Sequence, residues 1–162
     1  MSAPTIYVGI DPGAKGAIAM CCQEYGHRVF KLSAKLDDGR QPDTVFAHHL
    51  LATHRAFGQP VVAYLEEVGG FIAGRPAPGS AMFNFGTGYG RIQGAFEALG
   101  LPYRLVRPQV WQKGISGVAG LQGKDRKRAL CAEARRLYPD LNPTLETCDA
   151  ILLMHYAKHH EA

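Results

Sequence analysis

Long apolar runs, cysteine pairs and repeats are all missing from this 162-residue sequence. No stretch approaches the ~18 uncharged apolar residues of a membrane-spanning helix. The first residues lack a basic region followed by an apolar one. Neither a membrane span nor a signal peptide is therefore predicted. The four cysteines (Cys21, Cys22, Cys131, Cys148) form no CxxC pair. Scattered among apolar neighbours, they predict buried, reduced thiols in a cytoplasmic setting. There is no internal repeat and no low-complexity segment. What is left, 46% hydrophobic and 20% charged, is the composition of a soluble globular chain, and its length suits one domain over 1–162.

Charge is present but unevenly placed. The net charge is +4, yet nine basic residues against two acidic ones fall between Arg104 and Arg136. Such a segment on a weakly charged domain suits a polyanionic partner such as nucleic acid; a solvated helix face would give the same run.

The organising stretch is Ile6 to Met20. Ile6, Tyr7, Val8 and Ile10 form a strand that stops at Asp11-Pro12-Gly13, a turn signal. Gly13 and Gly16 are expected to help the chain fold back by tolerating positive φ. The apolar run from Ala17 to Cys22 then returns as an antiparallel partner. Asp11 is left at a buried strand end, where an unpaired charge is costly. It either holds a cation or caps the turn.

Strands are predicted at about 5–10, 17–22 and 28–34, with Glu24-Tyr25-Gly26-His27 as the second turn. A helix follows from Asp43 or Thr44 to Phe57. Val61 to Glu66 reads as a central parallel strand buried on both faces, ending in Glu66 and Glu67. Alternation allows only one of these to point where Asp11 points. Gly69 to Ser80 is a Gly- and Pro-rich loop carrying Phe71 and Arg75. Phe83 to Leu99 is a helix whose Gly86, Gly90 and Gly94 line one face. Glycine inside a helix costs about 1 kcal/mol, so close approach by the sheet, a second subunit or DNA is expected. Tyr103 to Val106 is another strand. A short helix at 110–113, a loop from Gly114 to Gly123 and a basic helix from Asp125 to Tyr138 follow. The last helix is expected to start at Asn142-Pro143 and run to about His159. The layout is α/β: a mixed five-stranded sheet, three antiparallel strands and then alternating helices and parallel strands, with helices on both faces.

In that last helix Glu146 and Asp149, three residues apart, share a face. Acids near a helix N-terminus also favour the dipole with no further role. Yet four acids from three distant stretches (Asp11, Glu66, Glu146, Asp149) meeting at strand ends and a helix start repel one another unless divalent cations sit between them. Oxygen ligands select Mg²⁺ or Mn²⁺, and two such ions promote phosphodiester hydrolysis.

Together, Ile10-Asp11-Pro12-Gly13, Leu65-Glu66-Glu67-Val68, Pro108-x-x-Trp111-x-Lys113 and Glu146-x-x-Asp149-Ala150, in this order along nearly the whole chain, resemble the RuvC-type Holliday junction resolvases. These belong to the ribonuclease H-like superfamily, and the resemblance is nearest to bacteriophage-type members. It implies a homodimeric, Mg²⁺- or Mn²⁺-dependent endodeoxyribonuclease that nicks opposed strands of a four-way junction inside a bacterial or phage-infected cell. Asp11, Glu66, Glu146 and Asp149 would be its metal-binding catalytic acids. Lys124 or Lys127 would sit near the scissile phosphate. Phe71, Arg75, Lys113, Lys124, Arg126, Lys127 and Arg128 would contact DNA. The chain departs from the family at Glu146, where Asp is usual, and at Gly69, where an aromatic is usual. Phe71 is the candidate wedge in its place, unless it only anchors its loop.

Rival readings weigh less. Ile-Asp-x-Gly also opens the phosphate loop of actin-like ATPases, but no second Asp-Gly-Gly-type loop follows. His155 and His159 have the spacing of a zinc pair, yet they stand at the end of a helix, where His suits the dipole. Trp111 reads as a packing anchor after Pro108.

Overall fold

The computed structural model describes residues 4–23, 26–33, 58–69, 71–72, 75–76 and 79–160. The helix expected between Asp43 and Phe57 lies outside them. The strands are β1 (Ile6–Asp11), β2 (Ala17–Cys22), β3 (Gly26–Lys31), β4 (Val61–Glu66), the two-residue β5 (Phe71–Ile72) and β6 (Arg75–Pro76), and, after helix α1 (Gly79–Ala98), β7 (Tyr103–Val106). Three helices follow: α2 (Pro108–Trp111), α3 (Gly123–Leu137) and α4 (Cys148–His160), with a 3₁₀ turn at Pro139–Leu141 between the last two.

Five strands form one mixed sheet in the order β3-β2-β1-β4-β7. β1, β2 and β3 pair antiparallel, whereas β1–β4 and β4–β7 pair parallel. This is the expected sheet. Strand alternation divides the core between its two faces. Ile6, Val8, Ile10, Val61, Ala63 and Leu65 pack with Ile92 and Phe96 of α1 on one side. Tyr7, Ala17, Ala19, Val62 and Tyr64 pack with α3 and α4 on the other. α4 is apolar nearly all round, with Cys148, Ala150 through Met154 and Ala157 buried, as suits a helix held between a sheet and another helix. All four cysteines are buried and unpaired.

Several boundaries differ from expectation. β3 begins at Gly26, so Gly26 and His27 belong to the strand instead of the turn; Gly26, at φ 69°, supplies a left-handed residue there. The Gly69–Ser80 loop contains the β5–β6 hairpin, and α1 starts at Gly79. Neither Gly13 nor Gly16 has positive φ. At Gly16 the constraint is space, because a Cβ would lie 2.1 Å from the Asp11 carbonyl oxygen. The sheet is not what the α1 glycines approach, since a Cβ on Gly86, Gly90 or Gly94 meets no described atom within 4 Å. The last helix starts at Cys148: Asn142 is left-handed (φ 47°) where the 3₁₀ turn ends, and residues 145–147 form a turn in which the Thr147 N–H donates to the Thr144 carbonyl at 3.1 Å.

Candidate active site

Three carboxylates lie near the ends of β1 and β4, close enough to act on one another's ionisation. The parallel register Ile10↔Leu65 sets Asp11 beside Glu66, and alternation turns both toward α4. Glu67 points elsewhere and pairs with Arg107 at 3.2 Å in an exposed ion pair. The third carboxylate is Asp149, in the first turn of α4.

What brings Asp149 to the strand ends is Gly9. A Cβ there would lie 2.1 Å from the Met154 nitrogen and 2.4 Å from the Ala150 carbonyl oxygen, so the backbone of α4 rests directly on β1. Asp149 precedes Ala150, and Asp11 follows Gly9 by two residues on the same face. Sequence reasoning did not single out Gly9. Its signal was a side-chain-free position inside a run of strand formers.

The fourth expected acid, Glu146, is not gathered in. It precedes α4 and pairs with Lys31 on β3 at 3.3 Å. A shared face with Asp149 requires a regular helix over 146–149, and residues 145–147 form a turn ahead of α4 instead.

Lys127 of α3 donates to Asp149 Oδ2 at 2.5 Å. Lys124, one turn earlier, is exposed, so Lys127 is the lysine that reaches the acids. Burial alone would lower the Lys127 pKa, but the Asp149 charge and hydrogen bond outweigh it and the ammonium is held above its ordinary value. Trp111 of α2, 2% exposed, donates its indole N–H to Glu66 Oε2 at 3.0 Å. It is the packing anchor expected, and it is also a donor to the site.

Electrostatics mark the acids as a cluster. Burial raises the Asp11 pKa, the Asp149 charge adds to it, and Lys127 and the Gly13 N–H partly offset both. Glu66 is pushed up to about 7 by burial first, then by Asp11 and Asp149, against the Trp111 hydrogen bond and Lys127. Like charges in a desolvated pocket resist ionisation. Asp11 also accepts a long hydrogen bond from Gly13 N–H, 3.4 Å, so the turn-capping reading is present in weak form alongside the cluster.

A pH dependence of stability follows. An unfolded Glu66 ionises near 4.5 and the folded one near 7, so only the unfolded state loses its proton as pH rises between these values. Stability therefore falls across that window and levels off above it. In metal-free buffer Glu66→Gln, which keeps the Trp111 acceptor, is expected to flatten this slope. It should stabilise the protein at pH 8 by on the order of 2 kcal/mol, measured by denaturant titration at pH 5 and pH 8.

Among the described residues, no group of three or more His, Cys, Asp or Glu side chains converges closely enough to hold a metal ion as the chain stands. The donor set still suits a hard divalent cation: three carboxylates, two of them with pKa values raised by burial first and by the neighbouring acids second, and a lysine ammonium now on the third. The His155–His159 pair is no metal group either; His155 Nδ1 hydrogen-bonds the Tyr138 hydroxyl at 2.9 Å.

The expected DNA-binding residues lie in the β5–β6 hairpin, just after α2 and in the first turns of α3. Arg126 holds Gln112 at 2.8 Å, Arg128 lies 3.6 Å from Asp125 with both side chains exposed, and Lys113 and Lys124 are exposed. Phe71 and Arg75 fall in the β5–β6 hairpin, in the register Phe71↔Pro76 and Ile72↔Arg75. A groove of about 690 Å³ opens between α1 and the two strand-end turns, lined by Pro12, Gly13, Val68, Gly69, Phe85 and Arg91 among others.

No protein-family model matches this sequence, and no curated protein matches it. Solved structures do. Thermus thermophilus RuvC in complex with a Holliday junction substrate superposes with a TM-score of 0.58 at 14% identity, covering 97% of this chain and 94% of that one. A second Thermus thermophilus RuvC structure gives 0.54 at 15% identity, covering 93% and 92%. This chain has a RuvC-like fold. At such identity the RuvC likeness speaks for the sheet order and helix placement, and the chemistry of the site has to be argued from its own residues.

Proposed function

We propose that the chain is a structure-selective endodeoxyribonuclease, a single RuvC-like nuclease domain of the bacteriophage type that resolves four-way DNA junctions by metal-dependent phosphodiester hydrolysis. The observation that carries this reading is the electrostatic coupling of Asp11, Glu66 and Asp149 around the ends of β1 and β4, with Lys127 hydrogen-bonded to Asp149. A purely structural role gives no reason to gather three repelling carboxylates in a desolvated place.

Asp11, Glu66 and Asp149 would hold Mg²⁺ or Mn²⁺, and Glu146, occupied by Lys31, stays outside this set. When bound, such a cation supplies Lewis acidity toward water and the phosphodiester. The protein's own contribution is placement and charge. The end of β1 fixes Asp11, and the Trp111 indole fixes Glu66. Asp149 is set by α4 resting on Gly9. Lys127, protonated throughout the neutral range, adds a positive charge where the phosphate arrives. The exposed Lys113, Lys124 and Arg128, with Arg126, are the basic side chains offered to phosphates, and the groove beside Pro12 and Gly13 would receive one strand.

A four-way junction presents two equivalent strands, so a homodimer supplies one site for each. The α1 face with Gly86, Gly90 and Gly94, open to close approach, and Phe83, 74% exposed, is the surface we assign to the second copy.

The test is cleavage of a four-way junction against linear duplex and an RNA–DNA hybrid, in Mg²⁺, Mn²⁺ or EDTA. Paired symmetric nicks in the junction alone, lost in EDTA, are expected. Cutting of the hybrid or of other branched DNA would move the activity to a related nuclease. Binding without cutting would make the chain a junction-binding protein.

A further inference from the structure

Glu66 is held by a group outside the carboxylate set. α2 is a single turn opened by Pro108 immediately after β7, and it ends on Trp111. β7 and β4 are parallel neighbours with Glu66 opposite Val106, so five residues of chain carry Trp111 from that register back over the end of β4. There the indole is 2% exposed and its N–H lies 3.0 Å from Glu66 Oε2.

We propose that Trp111 is a positioning residue for Glu66: its indole N–H commits one carboxylate oxygen and fixes the side-chain torsions, so that the other oxygen faces Asp11 and Asp149. The inference rests on the reading of Glu66 as a metal-holding acid and deepens it. Three features carry it. The indole is a donor only, so it serves an ionised carboxylate and offers nothing to compete for a ligand. Burial of the ring removes it from contact with bases, which excludes stacking on DNA. The ring packs in the core cluster of α3 and α4, so its position is fixed by neighbours that do not depend on Glu66. Groups that orient a metal-binding side chain from behind typically change metal affinity or activity by 10–100-fold when removed.

Trp111→Phe keeps an apolar ring and deletes the donor. In the DNA-free protein it is expected to weaken Mn²⁺ binding by about 10–100-fold, read from the electron paramagnetic resonance of free Mn²⁺. The Mn²⁺ concentration for half-maximal junction cleavage should rise by the same factor, and most of the rate should return at saturating Mn²⁺. Junction affinity in EDTA should not change. On a Glu66→Gln background the same substitution should move Mn²⁺ affinity no further. Trp111 is the sole tryptophan, so one indole ¹H–¹⁵N resonance reports the hydrogen bond directly, and Glu66→Ala is expected to shift it.

An unchanged Mn²⁺ affinity in Trp111→Phe would overturn the proposal, as would a full further loss on the Glu66→Gln background or an indole resonance indifferent to Glu66→Ala. Failure of the parent reading looks different. Wild-type protein that binds Mn²⁺ but leaves four-way junctions uncut would remove the junction activity alone, with Mn²⁺ binding still responding to Trp111→Phe; wild-type protein that binds no Mn²⁺ would overturn the metal-holding reading and the positioning proposal with it, leaving only the Trp111–Glu66 hydrogen bond.

Discussion

Asp11→Asn is expected to lower junction cleavage by about three orders of magnitude or more, since a carboxylate lost from a metal-centred site removes several kcal/mol of transition-state stabilisation. Junction binding in EDTA should survive. The substitution is close to isosteric, and Asn can still accept the long hydrogen bond from the Gly13 N–H, so the turn keeps its cap. Burial and the Asp149 charge raise the Asp11 pKa, which means the ionised side chain is disfavoured in the folded protein. Removing its charge should therefore leave stability unchanged or higher in metal-free buffer. An inactive but undiminished protein is the signature of an acid retained for chemistry. If Asp11 serves only as a cap, Asp11→Asn will cut like the wild type, and the metal-site assignment falls with it.

The second large effect concerns the scaffold. Gly9→Ala should destabilise the protein by about 3 kcal/mol or more, at or beyond the upper end of ordinary overpacking, because the atoms in the way are backbone. A methyl group placed 2.1 Å from the Met154 nitrogen and 2.7 Å from the Leu153 carbonyl carbon cannot be accommodated by a rotamer change. Either α4 lifts from β1 or the strand bends. Because α4 carries Asp149, whatever folded fraction remains should also lose cleavage, out of proportion to its loss of helix signal. Circular dichroism during denaturant unfolding, with cleavage normalised to folded protein, reads both. A variant as stable as the wild type would refute the packing of α4 on Gly9. Gly86→Ala is the control: no described atom lies within 4 Å of the added methyl, and helix propensity favours alanine. It should leave the stability of a single subunit equal or higher.

Much of the architecture was legible from residue order. Short apolar runs ending at Asp11-Pro12-Gly13 and at Glu66 gave the strands, and tight turns between the first three against helices between the later ones gave three antiparallel strands followed by parallel ones. These signals are local: side-chain alternation and turn chemistry act over a few residues, so a linear string carries them. Asp11, Glu66 and Asp149 were legible as candidates for the same reason, each being an acid set against an apolar run.

Other features were decided only in three dimensions. The turn at 145–147 delays the last helix to Cys148. That is enough to leave Glu146 with Lys31 instead of Asp149, although the three-residue spacing looked helical. Whether Lys124 or Lys127 reaches the acids depends on how α3 is rotated against α4, which no local pattern records. The choice between Glu66 and Glu67 needed the parallel register with β1. Gly9, Trp111 and Lys127 act through contacts to residues 145, 45 and 22 positions away, and only a folded chain brings such partners within reach. By itself the sequence determined the order of the elements, because alternation and turns are short-range. The tertiary structure decided which side chains meet, because close packing is set by whole helices and sheets at once.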